Sequence, residues 1–547
     1  TAGNEIDGTD VTAGTDITVA AKKLAADSFV SEAGMITITG VEDIVNSTIW
    51  AKDKKAGIVE VTATNEIDGT TIVAGADLTV NAGYLVASAL ISEAGTITAT
   101  AGLIDATSLL AKDGEILATA TGITGNSSFT ANVIDAGTGN VTLVGTPETV
   151  AAIDTVVANA AITARGDATI SGFDNVDTLD VVANGAIVAT EGIGNVVGGT
   201  WTSTGTTAIT ADIVDGINLN ADGATIVARQ AINNAITSGA DTTITAAQLL
   251  DNNTIMVNGV LTLDGAAALT DNTITTTGNL DITAAAFTAG NTFTTAGAFS
   301  ADIAGNMTND LVTATGAATI VANFVSGLQL DADSAAITAA ANVENASIKA
   351  NDDATITAAN IGHSSIAAVN GDATLTAADG HIVGNTVSAA GVATLEAALL
   401  TNNTVAGDTI GATAATTIAG GTYTAVGNAT LTATGFDIDG VTVIAGSADV
   451  TAGRDLKNSA IGGMAFVNAT AANIANVDIV SADGNVVLTA DANVATSAIT
   501  AAGDVTVNAG EQIAGTTITS SGAATLVADN ITNNNVAATG DLSAAAT

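Results

Sequence analysis

The chain has 547 residues, of which 47% are apolar and 2% aromatic, with 58 Gly, 1 Pro and no Cys, and its 11 basic residues against 55 acidic ones leave a net charge of −44. So few basic groups cannot neutralise a phosphate backbone or settle on an anionic bilayer, which excludes nucleic acid and charged membrane surfaces as partners. The mean hydropathy is positive, yet no apolar run approaches the length needed to span a bilayer, so no membrane span is expected.

Ala, Val and Ile alternate instead with Thr, Asn and Asp, the period-2 pattern of strands with one buried face. That regular β-branched content argues against disorder despite the charge. The lack of Cys removes any disulfide framework. No basic segment followed by an apolar core opens the chain, so a signal peptide is expected to have been removed or to lie outside this segment.

Residues 1–122 read as a duplicated module. NEIDGT occurs at 4–9 and 65–70, SEAG at 31–34 and 92–95, and AKD at 51–53 and 111–113. The spacing of about 61 residues corresponds to three coils of a repeating β structure. This module carries Lys22, Lys23, Lys52, Lys54, Lys55 and Lys112. Residues 123–200 are less periodic and hold the only proline, Pro147. The segment from Pro147 to Ala158 is expected to form coils of irregular length rather than an interrupting loop or short helix.

From 201 to 547 a seven-residue phrase recurs at a constant interval, beginning at 240, 259, 278, 297 and 316 and again at 427, 446, 465, 484, 503 and 522. In GDATLTA at 371–377, Ala373 and Leu375 should point inward while Thr374 and Thr376 point out. A second strand follows in each coil, as in Asn253-Thr254-Ile255, Asn272-Thr273-Ile274 and Asn291-Thr292-Phe293. The apolar residue should be buried. Asn253, Asn272 and Asn291 should stack as a structural ladder whose amides satisfy backbone groups at the corner, with Asp310 next in the series.

The fold class predicted is therefore all-β, a single-stranded parallel β-helix (β-solenoid) with coils of about 19 residues. Such a coil cannot bury its apolar face alone, and stacking makes the core continuous. Dividing the length by the period gives about 29 coils. Helical solenoids are disfavoured by the short period and by the Thr, Val, Ile and Gly content. Thr1 stands in mid-unit, at the place of Thr62, and residues 540–546 open another coil. The expectation is an excerpt of a longer protein or a subunit that stacks end to end.

The 19-residue period, the Gly-x-Ala-Thr-Leu-Thr-Ala phrase and the Asn-Thr-Ile strand resemble the repeat region of filamentous-haemagglutinin-like adhesins, well over 200–547 and loosely before. The resemblance implies a secreted right-handed β-helix on a bacterial surface, serving attachment, biofilm formation or toxin delivery. The Asn-Pro motifs of that family's secretion domain are not visible here, and no functional residue carries over from it.

Chemistry-bearing groups are sparse. Arg454, Asp455 and Lys457 form a compact mixed cluster, read as a solvated corner rather than a catalytic site. His363 and His381 lie nearly one coil apart and are read as a surface pair. A surface this acidic could bind calcium, with Asp331, Asp333, Asp352 and Asp353 as the metal candidates, although the nonapeptides of calcium β-rolls are absent. The outward pairs Thr355 and Thr357, Thr374 and Thr376, Thr430 and Thr432 resemble ice-binding arrays, but Asp449 and Val487 interrupt them. Trp50, Trp201, Tyr84 and Tyr423 are read as strand residues rather than a sugar platform.

The expected function is that of an extracellular structural or adhesive protein without catalytic residues, the rigid stalk of a bacterial surface adhesin. The alternative is a self-assembling extracellular fibre or surface-matrix subunit, and a polysaccharide-active enzyme stands a distant third. Partners would be copies of the chain, stacked end to end or laterally, or host ligands bound through domains outside this segment.

Overall fold

In the computed structural model of the chain, residues 2–121, 128–130, 132–145 and 156–546 are described. Among them every regular element is a β-strand, 66 in all, and the strands pair in parallel. The chain is a parallel β-solenoid whose coils recur about 19 residues apart. It divides into two compact units, Thr1–Asp281 and Ile282–Thr547.

One coil of the first unit shows how the sequence makes the fold. Its long strand, Thr242–Asp251, turns Thr242, Ile244, Ala246 and Leu250 inward. The strand then meets a corner at Asn252, whose φ is 53°. The left-handed region suits Asn because its short polar side chain tolerates αL better than most. Asn253 follows, buried, and the short strand Thr254–Val257 turns Ile255 and Val257 inward. The next coil repeats this one residue for residue, with Thr242 opposite Leu261 and Thr254 opposite Thr273.

The period-2 alternation thus becomes continuous inner rows. In the first unit Val181, Trp201, Leu219, Ile236, Ile255 and Ile274 stack in register. In the second unit Val405, Tyr423, Val443, Ile461 and Ile479 do the same. Each buried Ile or Leu contributes roughly 1.5–3 kcal/mol, which only the neighbouring coil makes available. Aromatic residues fill the wider places: Phe129 packs edge-on to Phe173 with ring centroids 5.7 Å apart, and Phe293 lies 5.5 Å from Phe299.

Ala373 and Leu375 are fully buried, Thr374 and Thr376 lie outward of them, and Ile255, Ile274 and Phe293 are buried as expected. The units together carry about 27 coils, fewer than division of the length suggests. The reason is that several coils are longer than the common period: equivalent corner positions are 25 residues apart from Thr107 to Asn132 and 27 residues apart from Asn140 to Asp167. Pro147 and the following residues to 155 lie outside the described residues. The described part of the expected irregular segment is the strand Val156–Ala158. Among the described residues no helix is long and apolar enough to cross a membrane.

Candidate functional site

Among the described residues, two corners of the coil carry polar ladders, and a third bend stacks Asn342 with Asn360 and Asp455 with Asn473 and Asn493. At the first, Asn253 Oδ1 accepts from the backbone N–H and the Nδ2 of Asn234, both at 2.9 Å. Its own N–H and Nδ2 donate to Asn272 Oδ1, again at 2.9 Å, and Nδ2 also reaches the carbonyls of Ala231 and Asp251. Each amide therefore closes groups in three consecutive coils, which explains why a buried polar side chain is tolerated there. Asn291 belongs to the second unit and repeats the arrangement with Asp310, to whose Oδ1 it donates from N–H and Nδ2 at 2.8 Å. Asn385 and Asn403 form a further step.

The second corner, between the short strand and the next coil, carries another ladder that the repeat pattern alone did not reveal. Asp241 Oδ1 accepts from Val260 N–H at 2.8 Å, Asp353 from Asp372 at 2.8 Å, Asp372 from Val392 at 2.7 Å and Asp504 from Ala523 at 2.7 Å. The signal was present as the second residue of the Gly-x-Ala-Thr phrase.

Among the metal candidates, Asp331 is engaged by Lys349 Nζ at 2.9 and 3.2 Å. Asp333 accepts from Asn351 Nδ2 at 3.2 Å, and Asp353 caps an amide as above. Asp352 lies exposed beside Asp353 at the same corner. Among the described residues no three His, Asp or Glu side chains are grouped so as to hold a metal ion.

His363 occupies the left-handed corner at φ 51°, its ring against Gly384 of the next coil, where an added Cβ would come within 3.2 Å of it. His381 lies on the long strand opposite Leu399. The two therefore differ in register, although both border one shallow cavity of about 380 Å³. Trp201 and Tyr423 are fully buried, Tyr84 is half-buried and Trp50 is 41% exposed, so the four rings form no common platform.

The mixed cluster is larger than its sequence suggests. Asp437, in the preceding coil, receives Arg454 Nε and Nη2 at 2.7 Å each and Lys457 Nζ at 2.8 Å. Asp439 and Asp455 border Lys457 at 3.9 Å, and the Arg454 guanidinium lies 5.2 Å from the Phe436 ring centroid. The Asp437 side chain is only 11% exposed. The Arg454 hydrogen bond, with Lys457, holds its carboxyl well below the usual carboxylate range, and Asp437 raises both cations in turn. A carboxylate so stabilised is a poor proton donor near neutrality, where a glycosidase acid needs a raised one. The cluster clamps one coil to the next.

No family model and no curated protein sequence matches the chain. Its class is defined by the fold itself, a parallel β-solenoid repeat protein.

Proposed function

We propose that the chain is an extracellular structural and adhesive repeat protein, the stiff stalk of a bacterial surface adhesin. The observation that supports this reading most is the corner ladder, in which each Asn or Asp ties consecutive coils at one place. Side-chain hydrogen bonds at such a fixed place add resistance to bending and to local opening that an apolar core alone would not give. The outward strand positions are mostly small or polar, as suits a spacer, and the acidic surface would be screened by salt or divalent cations.

Electron microscopy of the purified chain over a wide concentration range tests the reading. Particles of one length at every concentration support a stalk. Filaments that lengthen with concentration would replace it with the self-assembling fibre, and cleavage of acidic polysaccharide that disappears in Arg454→Ala would replace it with an enzyme.

A further inference from the structure

The outward face of the short strands in the N-terminal module differs from the rest of its unit. Val30, Trp50, Val73, Ile91 and Leu110 stand opposite one another on five consecutive coils. Thr12 precedes the stripe and Asp135 follows it. At the same place later in the unit the row turns chiefly polar, through Thr163, Thr202, Asn220, Thr237 and Thr275, and its apolar members Val182 and Met256 stand singly between polar neighbours. Val30, Val73, Ile91 and Leu110 are half-buried, and Trp50 is 41% exposed. On one side run Ser28, Thr48, Thr71, Ala89 and Ser108, low enough for the stripe to stand proud.

Two residues beyond the stripe the five coils place Glu32, Lys52, Gly75, Glu93 and Lys112, four charges and a glycine, with Asp53, Lys54, Lys55 and Asp113 further round the same corner. Within the chain Lys52 pairs with Glu32 at 2.7 Å and Lys112 with Glu93 at 2.6 Å, and Lys52 Nζ also lies 4.8 Å from the Trp50 ring centroid. At this one position the order of signs from coil to coil is minus, plus, none, minus, plus. This order becomes its own complement when reversed.

We propose that this face pairs with the same face of a second copy of the chain, the two running antiparallel. A two-fold axis along the strand direction through the Val73 rung sets stripe against stripe and charge row against charge row. Glu32 then meets Lys112 of the other copy and Lys52 meets Glu93, while Gly75, buried against the backbone of Lys52 and Asp53, brings no charge to the axis. Val30 packs on Leu110 and Trp50 on Ile91. A parallel pairing would instead oppose the charge row to the Ser and Thr row and waste the complementarity. An anionic polysaccharide or lipid surface matches only one sign of the row, so a second copy is the partner the chemistry selects.

The face is small. Five rungs about 4.8 Å apart and four residues at about 3.3 Å each span roughly 20 by 13 Å, which puts the contact well below the ~1,200 Å² of a standard interface. The pairing is therefore weak and reversible. It goes beyond the stalk reading and stands or falls separately from it, because the filament and stalk outcomes above concern length whereas this contact is lateral and closed.

The test is sedimentation equilibrium of the full chain up to roughly millimolar concentration, near the dissociation constant a small contact allows. It is run with tryptophan emission in parallel, since Trp201 is buried and Trp50 is the ring that would change surroundings. A monomer–dimer equilibrium with a blue shift at high concentration is expected. Lys52→Glu should weaken it about tenfold or more, and Lys52→Glu combined with Glu93→Lys should restore it although both in-chain ion pairs are lost. Trp50→Asp should also weaken dimerisation, with an unchanged β-sheet circular dichroism spectrum showing that the variant folds. A monomer at every concentration, or a double swap no better than Lys52→Glu alone, overturns the proposal.

Discussion

Asp310 places a carboxylate in a ladder position that Asn253, Asn272, Asn291, Asn385 and Asn403 fill elsewhere. It is 1% exposed and accepts from Asn291 N–H, Asn291 Nδ2 and Thr288 Oγ1, each at 2.8 Å. Burial pushes its carboxyl up from the ordinary range against the pull of those donors. An acid whose folded pKa is raised destabilises the fold above that pKa and relieves it as protonation proceeds at lower pH. Asp310→Asn removes the buried charge and keeps the Oδ1 that Asn291 addresses; it puts Nδ2 where Oδ2 accepts from Thr288, so that hydroxyl must turn to accept instead, and Nδ2 can also donate to a carbonyl such as Thr308 O, as Asn253 does to Asp251 O. One or two hydrogen bonds at about 0.5–1.5 kcal/mol each give a net gain of about 1–2 kcal/mol near neutrality. Because solenoids open coil by coil, the sensitive assay is amide exchange over residues 286–314. The variant should exchange roughly 5- to 30-fold more slowly at neutral pH, at about 1.4 kcal/mol per tenfold, and the advantage should shrink on acidification. Faster exchange in Asp310→Asn at neutral pH, or an advantage that grows on acidification, would refute the reasoning.

Three further substitutions follow from the same structure. Asn253→Ala should cost about 2–4 kcal/mol by stranding the buried Asn234 amide and the Asn272 oxygen, seen as lost exchange protection centred on residues 231–276. Tyr423→Phe should stabilise by about 1 kcal/mol, because the Tyr423 hydroxyl is buried without a hydrogen-bond partner; denaturant titration reads it as a raised midpoint. Asp437→Asn should cost about 1–2 kcal/mol at neutral pH, discounted for the exposure of Arg454 and Lys457. Since the folded carboxyl lies below its unfolded range, this contribution is present above about pH 4 and fades as pH falls, so the variant and wild type should converge in acid.

The period and the inward or outward sense of most positions were legible because a coil of fixed length must repeat its apolar residues at fixed distance. Asn253 was legible as a corner residue for the same reason. The residue that makes the corner bend was not. The left-handed place is taken by Asn252, Asp271, His363, Thr496, Gly515 and even Ala87, with φ between 46° and 64°. Stacking forces the conformation there, so residue preference leaves only a partial trace. Alanine in αL costs about 1–2 kcal/mol, so the strand pairing on both sides of Ala87 must outweigh it. Asp437 was hidden for another reason: its partners are 17 and 20 residues away. Abundant Asp makes any such pairing invisible until the register of coils is known.

The acidity of the chain has a partly structural origin. At the exposed corner the task is to accept one amide N–H from the next coil, and a carboxylate does this without leaving a donor unused, as at Asp241, Asp372 and Asp504. At the buried corner carbonyl oxygens also need a donor, so Asn, which both accepts and donates, suits better than Asp. Two corners of one coil thus favour different members of the same residue pair, and charge accumulates on the side where water can solvate it. With the corners committed to holding coil to coil, the outward strand faces are left free to vary. Along the later short strands of the first unit that freedom is used chiefly for Thr and Asn, with Val182 and Met256 standing singly, and from Val30 to Leu110 for an unbroken run of apolar residues flanked by charge. It is there that sequence can change what the solenoid touches without changing how it stands.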